Sequence, residues 1–139
     1  MNRRTVGLLT LLAACSPVPG AVTPVSPKCA SGQELEIRDA LYFGLTIPGG
    51  GEISASDWES FLAGTVTPAF PSGLTILEAK GQWREASGRV RAEPTRVVVL
   101  YHENSPDTDE GIRGIIRTYK ERFSQEAVLW ERTWACVAF

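Results

Sequence analysis

The chain has 139 residues, a formal charge of −2, 43% hydrophobic residues and 22% charged ones. That length supports one domain with a core of its own. A mildly acidic balance with no run of basic residues argues against nucleic-acid binding and against polybasic docking on anionic lipid.

The N-terminus carries an address. Arg3 and Arg4 precede an apolar run, Val6 to Leu12, far shorter than the roughly 20 residues a membrane-spanning helix needs. The pattern is that of an export signal. Leu12-Ala13-Ala14-Cys15 resembles the lipobox of bacterial lipoproteins, and the resemblance implies cleavage before Cys15 and acylation of its thiol. Ser16 in place of aspartate then implies the outer membrane, with the domain facing the periplasm. Each buried acyl CH₂ contributes about 0.8 kcal/mol and one chain holds only marginally, so stable attachment needs a multiply acylated cysteine. Residues 1–14 are expected to be a signal peptide whose loss, with its two arginines, takes the charge from −2 to −4. Residues 15–34 are expected to be the lipidated cysteine and a tether. Pro17, Pro19, Pro24 and Pro27 favour polyproline II at about 3.1 Å per residue, a reach of roughly 40 Å.

Residues 35–139 are expected to form the domain. Leu35 to Ile47 reads as a strand, alternating Leu41, Phe43 and Leu45 against Tyr42, Gly44 and Thr46. After IPGGGE, Ser54 and Ser56 offer N-terminal caps to a helix with Trp58, Phe61, Leu62 and Val66 on one stripe, and Pro68 ends it. Leu74 to Arg84 and Thr95 to His102 form a hairpin, with Pro94 confined to the start of its second strand. A second helix follows, acidic over Asp107 to Glu110, apolar at Ile112, Ile115, Ile116, Tyr119 and Phe123, and basic at Lys120 and Arg122. Gln125 to Phe139 closes the chain as a fourth strand. The order β-α-β-β-α-β is the ferredoxin-like pattern, α+β, with an antiparallel sheet in the order 4-1-3-2 and both helices on one face. Strand four then lies beside strand one. That places Cys136 near Cys29, and with Cys15 acylated these two cysteines make an even pair in an oxidising compartment, expected to form a disulfide.

LYFG at 41–44, VTPAFPSGLT at 66–75, GQWR at 81–84, EPTRV at 93–97 and YKERFSQEAVL at 119–129 resemble an exported bacterial family, domain of unknown function 3574. The resemblance spans nearly the whole domain, with Ala69 and Ala127 departing from its usual residues. It implies boundaries and export and transfers no catalytic residue.

Chemistry is sparse. Gly49-Gly50-Gly51 lacks the Lys-Ser/Thr of a P-loop, there is no G-x-S-x-G elbow, and His102 stands alone without metal-ligand spacing. No cofactor, metal or catalytic residue is assigned. The open sheet face is the candidate binding surface: alternation directs Glu78, Lys80, Gln82 and Arg84 to it, joined by Tyr42, with Trp130, Trp134 and Glu126 alongside. Strand three is apolar on both sides, which suggests a ligand groove, a covering loop or a homodimer interface. The expected function is a non-catalytic envelope lipoprotein binding a small ligand or an envelope protein. A small enzyme using Tyr42, Arg84 and Glu126 as acid, cation and base is the alternative, and a concave pocket holding a perturbed carboxylate would favour it.

Overall fold

The structure, a computed structural model, describes residues 27–139. The expected signal peptide, Cys15 and most of the tether lie outside the described residues.

The sheet holds β1 (Glu34–Gly44), β2 (Thr75–Arg84), β3 (Val90–His102) and β4 (Leu129–Val137). All are antiparallel, in the order β2-β3-β1-β4, as the ferredoxin-like reading requires. The pleat divides β1 cleanly. Leu41 and Phe43 face the helices with Val98 and Leu100 of β3 and are fully buried, whereas Ala40 and Tyr42 face the other side with Val97 and Val99.

Helix α1 (Ala55–Phe61) starts at Ser54, whose side chain accepts from Asp57 N. Pro68 does not end it. A π-helical stretch (Leu62–Val66) leads into a last turn, α2 (Thr67–Ala69), that contains Pro68. In a regular α-helix the proline ring meets the carbonyl four residues back, and the wider π turn relieves that clash. Helix α3 (Pro106–Phe123) is held by a capping box between Ser105 and Thr108 and ends at Ser124 in the left-handed region. Between the helices and the sheet, Phe43, Trp58, Phe61, Tyr119 and Phe123 meet edge to face at centroid separations of 4.6–6.3 Å.

Two expectations about β3 and the cysteines meet the structure differently. Strand β3 runs through Pro94, which sits opposite Lys80 in the ladder, so the proline is internal to the strand and not at its start. The ladder survives because Pro94 still accepts, through its carbonyl, from Leu45 N at 2.9 Å. The disulfide joins Cys29 to Cys136 with Cα atoms 5.4 Å apart, stapling the entry of β1 to the end of β4.

Candidate functional site

Strand β1 stops at Gly44, paired with Thr95, while β3 extends back to Val90 and stays paired with β2. Residues 81–93 of the hairpin therefore overhang the end of the central strand. This overhang, the loop after β1 and the loop before β4 enclose a cleft of about 530 Å³ on the open side of the sheet. Small-ligand sites fall in the range of roughly 300–1,000 Å³.

Glu93 lies on the floor. Its carboxylate rests directly over Gly44, where any Cβ would overlap it. Gly81, opposite Glu93 on β2, similarly leaves room for Thr95, whose Oγ1 would lie 3.0 Å from a Cβ there. Burial raises the pKa of Glu93, only partly opposed by a backbone hydrogen bond from Thr46 and the charge of Arg91. Trp83 forms one wall, and its Nε1–H donates to Glu126 Oε2 at 3.4 Å, linking the hairpin to the loop before β4. Tyr42 lines the other side, its hydroxyl donating to Glu131 Oε2 at 2.9 Å. That bond raises the pKa of Tyr42, keeping the phenol protonated. Arg89 and Arg91 also line the cleft, but both are committed to Glu85, at 3.1 and 2.6 Å, and they hold its pKa down. Among the described residues Glu93 and Glu126 have no ion-pair partner.

The structure redistributes the residues expected on the open face. Tyr42 is there, and Glu126 and Gln82 reach the cleft. Glu78, Lys80, Gln82 and Arg84 nonetheless share the pleat side of Ile76, which packs against the helix-covered core. Arg84 does not line the cleft; it donates to Gly88 O at 3.2 Å within the hairpin turn. The phase inverts because β2 is an edge strand whose open side carries the apolar Leu77 and Trp83, both exposed. Trp130 and Trp134 likewise pair with Leu41 and Ile37, on the helix side, leaving Leu129 and Glu131 on the open face. Basic residues do gather in one place. Helical spacing brings Arg113, Arg117 and Lys120 around a shallow depression beside Trp130, a cluster that no run in the sequence announces.

A second polar constellation escaped the sequence altogether. Asp39 is completely buried on the helix side and accepts four hydrogen bonds. They come from Trp130 Nε1 at 2.8 Å, Arg132 Nε at 2.9 Å and Nη2 at 2.8 Å, and the His102 ring at 2.9 Å. Burial pushes its pKa up, yet the bonds from Arg132, Trp130 and His102 and the charge of Arg132 outweigh burial and leave it lowered. Arg132 also reaches Asp109 at 2.6 Å, and His102 Nδ1 contacts Glu103 O at 2.7 Å. Every lone pair of Asp39 is used, so this network fastens α3 and β4 to β1 and leaves nothing for a substrate.

One open face and two helices on the other make this a ferredoxin-like α+β domain. Residues 38–139 match the family described as Protein of unknown function (DUF3574), and the chain belongs to that family. Among solved structures it is similar to a phage SAM lyase in complex with S-methyl-5'-thioadenosine. The identity is 14%, over 83% of this chain and 96% of that one, with a TM-score of 0.60. The apo phage SAM lyase matches at 13% over 81% and 95%, TM-score 0.56. A CutA from Synechococcus elongatus complexed with Bis-Tris matches at 10% over 76% and 83%, TM-score 0.42. At these identities the likeness is one of fold. No curated protein matches.

Proposed function

We propose that this is a small-ligand-binding lipoprotein of the bacterial cell envelope, anchored through acylated Cys15, with the cleft around Glu93 as its binding site. The observation that carries the reading is a carboxylate on the floor of a concave, ligand-sized cleft, seated over Gly44 and flanked by Trp83 and Tyr42. A thermal-shift screen of small metabolites on the wild-type chain and Glu93→Gln tests it. A ligand that raises the wild-type Tm by several degrees and leaves the variant unmoved supports the cleft. Equal stabilisation of both proteins refutes it.

One observation favours catalysis as a second reading. Burial raises the pKa of Glu93, the direction an acid–base group needs, and the carboxylate sits in a pocket rather than on a flat face. In this reading Glu93 takes the acid–base role expected of Glu126, and Tyr42 stands as a protonated hydrogen-bond donor. The phage SAM lyase among the fold neighbours makes SAM the first compound to try, with S-methyl-5'-thioadenosine the product to look for by chromatography. Turnover by the wild type that is lost in Glu93→Gln supports it, and binding without turnover leaves a pure binding module.

A further inference from the structure

The chemistry of the cleft narrows the class of ligand, and the inference rests on the ligand-binding reading above. An anion entering the cleft meets Glu93 and Glu126, while the nearby guanidinium groups of Arg89 and Arg91 are already engaged by Glu85. A neutral apolar ligand covering the floor strips water from Glu93 and gives nothing back, a costly arrangement for a carboxylate. A cation reverses that balance, because it compensates the charge it desolvates. The walls suit the same guest: Trp83 and Tyr42 offer aromatic surface, which attracts a cation carrying apolar substituents. Gly44 leaves room for the Glu93 carboxylate to lie across the end of β1, and Gly81 leaves room for Thr95 beside it, so the charge sits on the cleft floor. The raised pKa of Glu93 accompanies this geometry, that of a half-buried carboxylate with no cation paired to it.

We infer that the cleft takes a compact organic cation, an alkylated ammonium or related onium centre, seated against the Glu93 carboxylate with its alkyl groups between Trp83 and Tyr42. Choline and its uncharged isostere 3,3-dimethylbutan-1-ol test this, because they differ only in the charged atom. Each is titrated into the ¹⁵N-labelled full-length chain carrying Cys15→Ser, following the Trp83 indole N–H and the Gly44 and Gly81 amides. Choline is expected to shift these signals and to bind at least about tenfold tighter than the alcohol. Glu93→Gln, with its spectrum unchanged away from the cleft, is expected to remove that preference. Equal binding of the alcohol overturns the cation inference while leaving a ligand cleft in place. Binding there of an anion or a neutral compound but not choline overturns it too. A screen in which no compound perturbs the cleft signals removes the binding reading itself.

Discussion

Replacing Asp39 by asparagine keeps the volume and removes the charge, and it sets a donor against donors. Oδ1 receives Trp130 Nε1 and Arg132 Nε, and Oδ2 receives Arg132 Nη2 and the His102 ring. Whichever way the amide is turned, its NH₂ meets a guanidinium N–H. Breaking a fully buried ion pair by removing one partner costs about 3–5 kcal/mol. Arg132 is 28% exposed and recovers some solvation, which favours the low end, about 3 kcal/mol. For a domain of about 100 residues, each kcal/mol moves Tm by at least about 4 °C, so a drop of about 12 °C or more is expected. Urea denaturation gives the energy directly, as a lower midpoint with an unchanged m-value. The effect also has a pH signature. The folded pKa of Asp39 is below its unfolded value of about 3.9, so its contribution is complete above that value and is lost as pH falls through the folded pKa. The gap between wild type and variant is therefore expected to narrow below about pH 4. A loss under about 1 kcal/mol at pH 7, or a gap that does not narrow in acid, refutes the assignment of Asp39 as the centre of a stabilising network.

Reducing the Cys29–Cys136 bond, or replacing both cysteines with serine, removes a closure of 107 residues and is expected to cost at most about 4.7 kcal/mol; free thiols at both positions in exported protein, found by non-reducing peptide mapping, refute the bridge. Gly44→Ala is expected to displace the flexible end of Glu93, changing the unfolding free energy from urea denaturation by no more than about 1 kcal/mol while abolishing any binding measured in the cleft. Cys15→Ser is expected to move the protein out of the membrane fraction, and unchanged acyl labelling of that variant ends the lipoprotein reading. Glu93→Gln is expected to hold or raise Tm at pH 7. Folding favours the protonated form of Glu93, so the charged form is a liability there that grows as pH rises through the folded pKa, and a lowered Tm contradicts this.

The architecture was legible because each element carries its own period. Leu41, Phe43 and Leu45 alternate, and Ile112, Ile115, Tyr119 and Phe123 recur at helical spacing. All pack into the core as expected, Leu45 doing so from just past the end of β1. Cys29 and Cys136 added a long-range constraint that agrees with the strand order. The site was legible only in part, because it depends on pleat phase and on where one strand stops. In β2 the polar residues at 78, 80, 82 and 84 were placed on the open side on the assumption that polarity marks solvent. In an edge strand both sides see solvent, so polarity does not report phase; only Ile76 does, and it points the other way. Glu93, beside Pro94, stood outside the expected strand, and nothing local showed that β3 would run on past the end of β1. Asp39 was hidden differently. A lone acid inside an apolar strand gives no local sign of its partners, which come from residues 102, 130 and 132.

Asp39 and Glu93 are both carboxylates packed against the same sheet, and the difference in their partners separates scaffold from site. Asp39 collects four donors, two of them from one guanidinium, so its charge is satisfied and its pKa falls. Glu93 has a backbone N–H and a distant arginine, and its pKa rises. A protein that needed only a stable fold gains nothing from holding an unpaired carboxylate over Gly44, where an apolar residue would pack without desolvating a charge. Arg91, two residues away on the same face of β3, acts on it only through its charge, because its guanidinium is turned to Glu85 at 2.6 Å. Glu85 thus ties up both arginines that line the cleft and leaves Glu93 on its floor without an ion-pair partner. A carboxylate left unpaired in this way suits the ligand-binding site proposed above, where the missing partner would come from the ligand.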